Sequence, residues 1–170
     1  MERTFKGPHV VLRIKQKIRI RLNELDVIEE HNRIFEKVGY VALGKFGASW
    51  NQTKCDDFAK EIGSGATKHL YLVFKTDSGY KGFRAKIRNV VLAGRSQARL
   101  LAYPDNYNQL QHQPNLFDSV LAKKPSMWFE LAERLESHSL KKLRLLSNDR
   151  PLLDSLNQSR AAMMLVTEKS

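Results

Sequence analysis

Cysteine is almost absent from this chain, since Cys55 is the only one among 170 residues. A single thiol cannot form an intrachain disulfide, and it excludes a structural zinc site made of several thiolates. Long apolar runs are missing too, because no stretch approaches the roughly 18 apolar residues of a membrane-spanning helix. The first residues lack the apolar core of a signal peptide. These absences predict a soluble cytoplasmic protein with no membrane partner.

Residues in catalytic or metal-binding patterns are also scarce. The five histidines are dispersed, and none lies three or four residues from another. Asp77, Asp105 and Asp118 stand in predicted turns or loops, without a second carboxylate at a spacing that would hold a catalytic metal. Residues 63–68 contain glycines but lack the ending of a phosphate-binding P-loop. The sequence therefore predicts a binding protein rather than an enzyme, with no catalytic residue, metal or cofactor.

Acidic residues are few in comparison with basic ones. The chain has 29 Lys and Arg against 18 Asp and Glu, which gives a net charge of +11. A surplus of this size attracts polyanions, such as nucleic acid, anionic lipid or acidic proteins. Many soluble domains are basic for solubility alone, so the arrangement of the cations has to decide between these interpretations.

Two segments alternate apolar and cationic residues. In residues 9–22 the even positions are mostly apolar, and in residues 80–92 Phe83, Ala85 and Ile87 alternate with cations. Period two predicts strands with one buried face and one row of cations in solvent. Alternate side chains on a strand lie roughly 6.6–6.8 Å apart, close to the spacing of phosphates along a single nucleic-acid strand. The two rows are Arg13, Lys15, Lys17, Arg19 and Arg21, and Arg84, Lys86 and Arg88.

The remaining pattern predicts an α+β domain. Helices are expected within residues 23–39 and 53–62, and a helical stretch through Glu133, Leu135 and Leu140. Further strands are expected at residues 40–46, 69–76, 95–103, 127–131 and 161–166, with a hairpin turn at residues 77–79. This order predicts a single domain over residues 1–170 with flexible ends. Its expected form is a mixed β-barrel of about five to seven strands with two to four peripheral helices.

One family resemblance is visible in this order of elements. Residues 39–47, Gly-Tyr-Val-Ala-Leu-Gly-Lys-Phe-Gly, resemble the strand and glycine turn of EVE-like domains in the PUA/ASCH superfamily. Residues 70–73 and 80–88 are similar to that family's central hairpin, and residues 160–166 to its closing strand. The resemblance implies a PUA-like barrel that holds nucleic acid over one rim. It also implies that a single base, often a modified one, enters an aromatic-lined pocket.

The candidate site combines cations, aromatic rings and small polar residues. Rings that stack on bases contribute on the order of 1–3 kcal/mol per base, which helps to offset the cost of flipping a base. Core packing is the alternative role for each ring, and Trp50 would then plug one end of the barrel. The predicted phosphate contacts are Lys45, Arg84, Lys86 and Arg88, the stacking rings Phe46, Trp50 and Tyr103, and the readers of base edges Ser49, Asn51 and Asp105.

These features predict a nucleic-acid-binding module that reads a modified or flipped base, with DNA slightly favoured over RNA. The module would resemble the specificity domains of modification-dependent restriction systems, and membership of a larger restriction complex is one form of this hypothesis. The alternative, from a different class, is an interaction or inhibitor protein that docks its basic strands on an acidic partner. The sequence leaves the oligomeric state open.

Overall fold

A computed structural model describes residues 8–14, 24–45, 48–92 and 126–169. The helices are α1 (Glu24–Val38), α2 (Gln52–Gly63) and α3 (Leu152–Gln158). The strands are β1 (His9–Ile14), β2 (Val41–Lys45), β3 (His69–Thr76), β4 (Gly79–Leu92), β5 (Met127–Leu131), β6 (Glu136–Ser137), β7 (Leu143–Leu145) and β8 (Met163–Glu168). The predicted α+β class is confirmed. None of the helices in these ranges is long and apolar enough to cross a membrane.

The eight strands form one mixed sheet rather than a barrel. Their order is β2-β5-β4-β3-β1-β8-β7, and the short β6 pairs with β4 beside this path. Strands β1 and β3 are parallel, and the other pairs are antiparallel. Within the described ranges β2 and β7 lie at opposite ends of this order and do not pair, so the sheet stays open. The expected PUA-like closure is therefore not confirmed.

The long strand β4 joins the two halves of the sheet. Its first half pairs with β3 after a tight turn in which Gly79 has φ 137°, a backbone conformation that favours glycine. Its second half pairs with β5, with a shift of register between Ile87 and Asn89. A bulge of this kind bends a strand and increases its twist. One strand can therefore belong to two differently oriented parts of the sheet.

Apolar side chains are buried on both faces of the sheet. The larger core lies under α1 and α2 and takes the even residues of β1 and β3 and the odd residues of β4 from Phe83 to Ile87. The smaller core lies under α3 and consists of Val11, Tyr71, Val73, Leu140, Leu143, Leu152, Leu156 and Val166. Burial on both faces is why β1 begins with the continuous apolar run Val10, Val11 and Leu12, all of them buried.

The helix expected through residues 133–140 is wrong. Leu135 packs into the larger core, whereas Leu140 packs into the smaller one on the opposite face of the sheet. The segment instead forms β6 and an irregular connection. The chain passes here from one core to the other.

Gly82 is required by close packing rather than by backbone conformation. A Cβ atom at this position would lie 2.5 Å from Leu140 Cδ2 and 2.9 Å from the carbonyl oxygen of His138. Since that carbonyl belongs to a chain held to β4 by a hydrogen bond from His138 N to Gly82 O, it cannot move freely. Gly82→Ala should lower the free energy of unfolding by about 1–3 kcal/mol, measured by urea denaturation.

Gly63→Ala is the matched control for this substitution. Gly63 ends α2, and a Cβ atom there would meet nothing within 4 Å. Alanine has the higher helix propensity, so this variant should be neutral or up to about 1 kcal/mol more stable. Equal effects of the two substitutions would contradict the packing role of Gly82.

Two buried histidines should make the fold sensitive to acid. Burial lowers the pKa of both His9 and His31 to about 4, below the value of about 6.5 in an unfolded chain. Between these values the unfolded state binds more protons, so stability is complete above about pH 6.5 and falls as the pH drops towards 4. The expected loss is about 3 kcal/mol for each histidine by pH 4, measured by urea denaturation across this range.

His31→Gln separates the contribution of one histidine. His31 Nδ1 donates to the carbonyl oxygen of Val27 at 2.7 Å, and a glutamine amide can also donate but does not titrate. The variant should lose about half of the acid sensitivity and keep the part due to His9. A variant with the same dependence on pH as the original chain would show that His31 is not the titrating group.

Candidate nucleic-acid interface

The cations of β4 lie on one face of the sheet, as predicted. Phe83, Ala85 and Ile87 are buried in the larger core, so the alternating residues Arg84, Lys86 and Arg88 project from the opposite face. We call these three residues the β4 cation row. The side chains of Arg84 and Arg88 are 30% and 45% exposed. This row is therefore accessible along its length to a ligand on that face.

Carboxylates from other strands stand beside the two arginines of the row. Arg88 forms an ion pair with Glu130 of β5 at 3.1 Å and lies over the ring of Tyr40, 3.9 Å from its centroid. Arg84 lies 3.8 Å from a carboxylate oxygen of Glu168 in β8. The row contains no acidic residue in sequence, but strand pairing brings carboxylates next to it. Its charge in the fold is therefore lower than the sequence alone indicates.

Lys86 differs from its two neighbours in the row. Its backbone amide donates to Glu133 at 3.1 Å, but the ammonium group makes no ion pair with any residue in the described ranges. Lys86 is half-buried and stands opposite His69 in the register of β3 and β4. Unlike Arg84 and Arg88, Lys86 can therefore bind a phosphate without first breaking a contact with a carboxylate of the described ranges.

Arg13, the described member of the cation row in residues 13–21, stabilises the fold. In register it stands opposite Val73 of β3, on the same face as the β4 cation row. Its guanidinium donates to the carbonyl oxygens of Leu156 and Ser159 at the end of α3, and lies 5.9 Å from the ring centroid of Tyr80. Arg13 thus fixes α3 on the sheet. Lys15, Lys17, Arg19 and Arg21 lie outside the described residues.

The described residues on either side of the predicted glycine turn make contacts within the protein. Lys45 is buried, its ammonium donates to the carbonyl of Ala48, and burial lowers its pKa. Asn51 is the N-cap of α2, where its side-chain oxygen accepts a hydrogen bond from Lys54 N at 2.8 Å. Ser49 is exposed. Lys45 and Asn51 are therefore occupied by structural contacts, away from the roles predicted for them.

Trp50 belongs to the larger core. It is 7% exposed, and its ring packs against Phe58 and Phe129 with centroids 5.1 and 5.8 Å apart. Lys54 Nζ lies 4.8 Å from the ring centroid on the outer side. A ring enclosed in this way has no free face for a base, so the structure supports the core alternative for Trp50. The other predicted site residues, Phe46, Tyr103 and Asp105, lie outside the described residues.

A cluster of histidines and a tyrosine was not anticipated from the sequence. His9, His69 and His138 surround the ring of Tyr71, with centroids 6.0, 6.3 and 5.8 Å away. His9 and His69 also pack against each other at 5.2 Å. They are the first residues of β1 and β3, and two parallel strands that start together bring their first residues together. The sequence signal for this cluster is that each of the two histidines begins a predicted strand.

The buried His9 ring has a defined tautomer. His69 N–H donates to His9 Nδ1 at 3.0 Å, and burial, followed by the nearby His69, lowers the pKa of His9 to about 4. The ring is therefore neutral at pH 7, with its proton on Nε2. This Nε2 is buried and has no hydrogen-bond partner within the described ranges. An unsatisfied buried donor costs on the order of 1–3 kcal/mol, which a ligand acceptor would recover.

Tyr71 is completely buried, and its hydroxyl group forms a hydrogen bond. Burial raises the pKa of Tyr71 to about 12, so the hydroxyl stays protonated at neutral pH. It donates to Glu168 at 3.4 Å, and Arg84 stands directly opposite Tyr71 in the register of β3 and β4. The cluster therefore adjoins the β4 cation row at Arg84.

A shallow cavity of about 500 Å³ opens beside this cluster. It reaches Arg84 and His138 from the solvent, and its other lining residues are Phe35, Ala132, Glu133, Arg134, Glu136 and Ser137. Arg134 forms an ion pair with Glu36 of α1. Among the described residues, no group of three or more His, Cys, Asp or Glu is arranged to hold a metal ion. The cavity thus offers hydrogen-bond donors and mixed charge.

No protein-family model, curated protein or solved structure matches this chain. The resemblance to EVE-like domains therefore remains an expectation drawn from the sequence.

The burial of Trp50 leads to a test of its predicted role. Trp50→Ala should lower the free energy of unfolding by about 3–5 kcal/mol, measured by urea denaturation, because it removes a large side chain from the core. Ser49→Ala, next to it and exposed, should change stability by no more than about 0.5 kcal/mol. A Trp50→Ala protein of normal stability that had lost only a preference among bases would restore the stacking role.

Proposed function

We propose that this protein binds nucleic acid through the face of the sheet that carries the β4 cation row. The observation that carries the proposal is the placement of three cations at alternate positions of one strand, next to a half-open cavity. Their spacing is close to that of successive phosphates. Lys86 would make the central phosphate contact, and Arg84 and Arg88 would make the flanking ones.

The distribution of charge along the chain supports a polyanionic partner. The whole chain holds 29 Lys and Arg against 18 Asp and Glu. Residues 15–23, which follow β1 directly, contain four cations and no carboxylate. A cationic segment continuous with the central part of the sheet adds long-range attraction for a phosphate backbone.

The proposal concerns the phosphate backbone and assigns no base to Trp50. Reading of a modified or flipped base, and a preference for DNA over RNA, would require rings or polar groups other than Trp50. Phe46, Tyr103 and Asp105 remain candidates for those roles on the basis of the sequence. The carboxylates beside the arginines favour a second candidate, an acidic protein that binds the same face, because mixed charge is typical of protein interfaces.

Lys86→Ala tests the proposal with the least disturbance of the fold. Replacing Arg88 would leave the buried carboxylate of Glu130 without its partner, whereas the Lys86 ammonium has no such partner in the described ranges. Loss of one phosphate contact should weaken oligonucleotide binding a few-fold and reduce the slope of log K against log salt by about 1. Fluorescence anisotropy with single- and double-stranded DNA and RNA at several salt concentrations measures both quantities.

Lys60→Ala is the matched control. Lys60 is exposed on α2, which covers the opposite face of the sheet, and its removal changes the net charge by the same amount. Equal effects of Lys86→Ala and Lys60→Ala would indicate nonspecific attraction only. If no oligonucleotide binds at low salt, and a protein captured on this face remains bound after nuclease treatment, the partner is an acidic protein and not nucleic acid.

A further inference from the structure

Three hydrogen-bond donors belong to residues that adjoin one another where the histidine cluster meets the β4 cation row, since the His9 and Tyr71 ring centroids lie 6.0 Å apart and Arg84 stands opposite Tyr71. They are the Tyr71 hydroxyl, the Arg84 guanidinium and the Nε2–H of the neutral His9 ring. Tyr71 and His9 are almost completely buried, with 0% and 1% of their surface exposed. The carboxylate that the structure provides for this group is Glu168, and the Tyr71 hydroxyl oxygen also accepts a hydrogen bond from Arg84. His9 Nε2 has no acceptor in the described ranges.

The contacts of Glu168 with these donors are long. Its Oε2 atom lies 3.4 Å from the Tyr71 hydroxyl and 3.8 Å from Arg84 Nη1. Charge-assisted hydrogen bonds in a well-fitted site are typically about 2.7–2.9 Å. A single carboxylate oxygen therefore lies at long distance from two donors, Tyr71 and Arg84, and the third donor, His9 Nε2, has no acceptor in the described ranges. The donors suit a ligand with more acceptor oxygens and more negative charge than a carboxylate.

We propose that Tyr71, Arg84 and His9 form a binding site for a phosphate oxyanion. Glu168 occupies this site in the free protein, and a bound phosphate group displaces the Glu168 carboxylate. Phosphate has oxygens for all three donors, and Tyr71 donates to it because its hydroxyl is protonated at neutral pH. The neutral His9 ring donates through Nε2 and does not need to be charged. Neighbouring His69 and Lys86 add polar and cationic surroundings.

The cavity adjoins this site at Arg84, and the exposed parts of Arg84 and Glu168 give a phosphate access to it. The cavity reaches Arg84 and His138 from the solvent, and the side chains of Arg84 and Glu168 are 30% and 21% exposed. Glu168 lies in β8, and its side chain is partly exposed. Its carboxylate can leave the site by rotation of its own side chain, without opening either core.

This inference deepens the proposed function, because the site would hold one phosphate of the bound strand beside Lys86. It does not depend on nucleic acid for its test, since inorganic phosphate presents the same oxyanion. A purely structural role is the alternative, in which Glu168 ties β8 to the sheet through Tyr71 and Arg84. The two roles predict opposite results when the charge of Glu168 is removed.

The experiment follows the histidine ring signals by NMR while inorganic phosphate is added at pH 8 and constant ionic strength. Phosphate should shift the His9 and His69 signals in a saturable way in the original chain. Glu168→Gln, which keeps the shape and the acceptor oxygen, should bind phosphate about tenfold more tightly, the effect of losing one competing charge-assisted contact. Arg84→Gln should abolish the saturable shift.

Glu136→Gln is the matched control for charge. Glu136 is exposed in β6, lines the same cavity and stands opposite Arg84 in the register of β4 and β6, but its carboxylate forms no ion pair within the described ranges. It should change the affinity for phosphate less than about twofold. Equal effects of Glu168→Gln and Glu136→Gln would overturn the proposal, as would unchanged histidine signals with phosphate. A less stable Glu168→Gln protein with unchanged phosphate affinity would establish the structural alternative.

Oligonucleotide binding by the same variants separates this inference from the proposed function. If oligonucleotides bind but Glu168→Gln and Glu136→Gln affect them equally, the interface stands and the oxyanion site fails. If phosphate binds and is tightened by Glu168→Gln but no oligonucleotide binds, the site stands and the nucleic-acid function fails.

Discussion

The pairing of β4 with three other strands is the constraint on which the rest of the structure depends. Its first half is held by β3 and β6 and its second half by β5. Because side chains alternate along a strand, this register puts Phe83, Ala85 and Ile87 in the larger core and the cations on the other face. A shift by one residue would bury Arg84, Lys86 and Arg88 without partners, at a cost far greater than the fold could tolerate. The core and the basic surface are two results of one register.

Local pattern predicted the elements well and the architecture only partly. The alternation in β4 and the caps of α2 depend on residues that are neighbours in sequence, and these elements formed where they were expected. Closure into a barrel depends on which distant strands pair, and neither the parallel pairing of β1 with β3 nor the edge positions of β2 and β7 leaves a local signal. The same limit explains residues 133–140, where Leu135 and Leu140 belong to cores on opposite faces of the sheet.

The burial of the candidate residues could be predicted from the alternation in β4 but not from the polar residues around Trp50. Trp50 has polar neighbours on both sides, which suggested an exposed ring, but Asn51 is polar because it caps α2 and the tryptophan beside it packs inward. The histidines were judged by their spacing within one helix. His9 and His69 lie 60 residues apart and meet because each begins one of two parallel strands. Only knowledge of that pairing would have joined them.

Competition for the same cations links the fold to the proposed binding. A row of three cations on one strand repels itself, and Glu130 and Glu168 from β5 and β8 reduce this repulsion in the free protein. The Glu130 carboxylate is buried and tightly paired, so it holds Arg88 in place as part of the structure. The Glu168 carboxylate is partly exposed and its contacts are long, so a stronger anion can replace it at little cost. The difference in burial between these two acidic residues separates the end of the row that stabilises the sheet from the end that is available to a ligand.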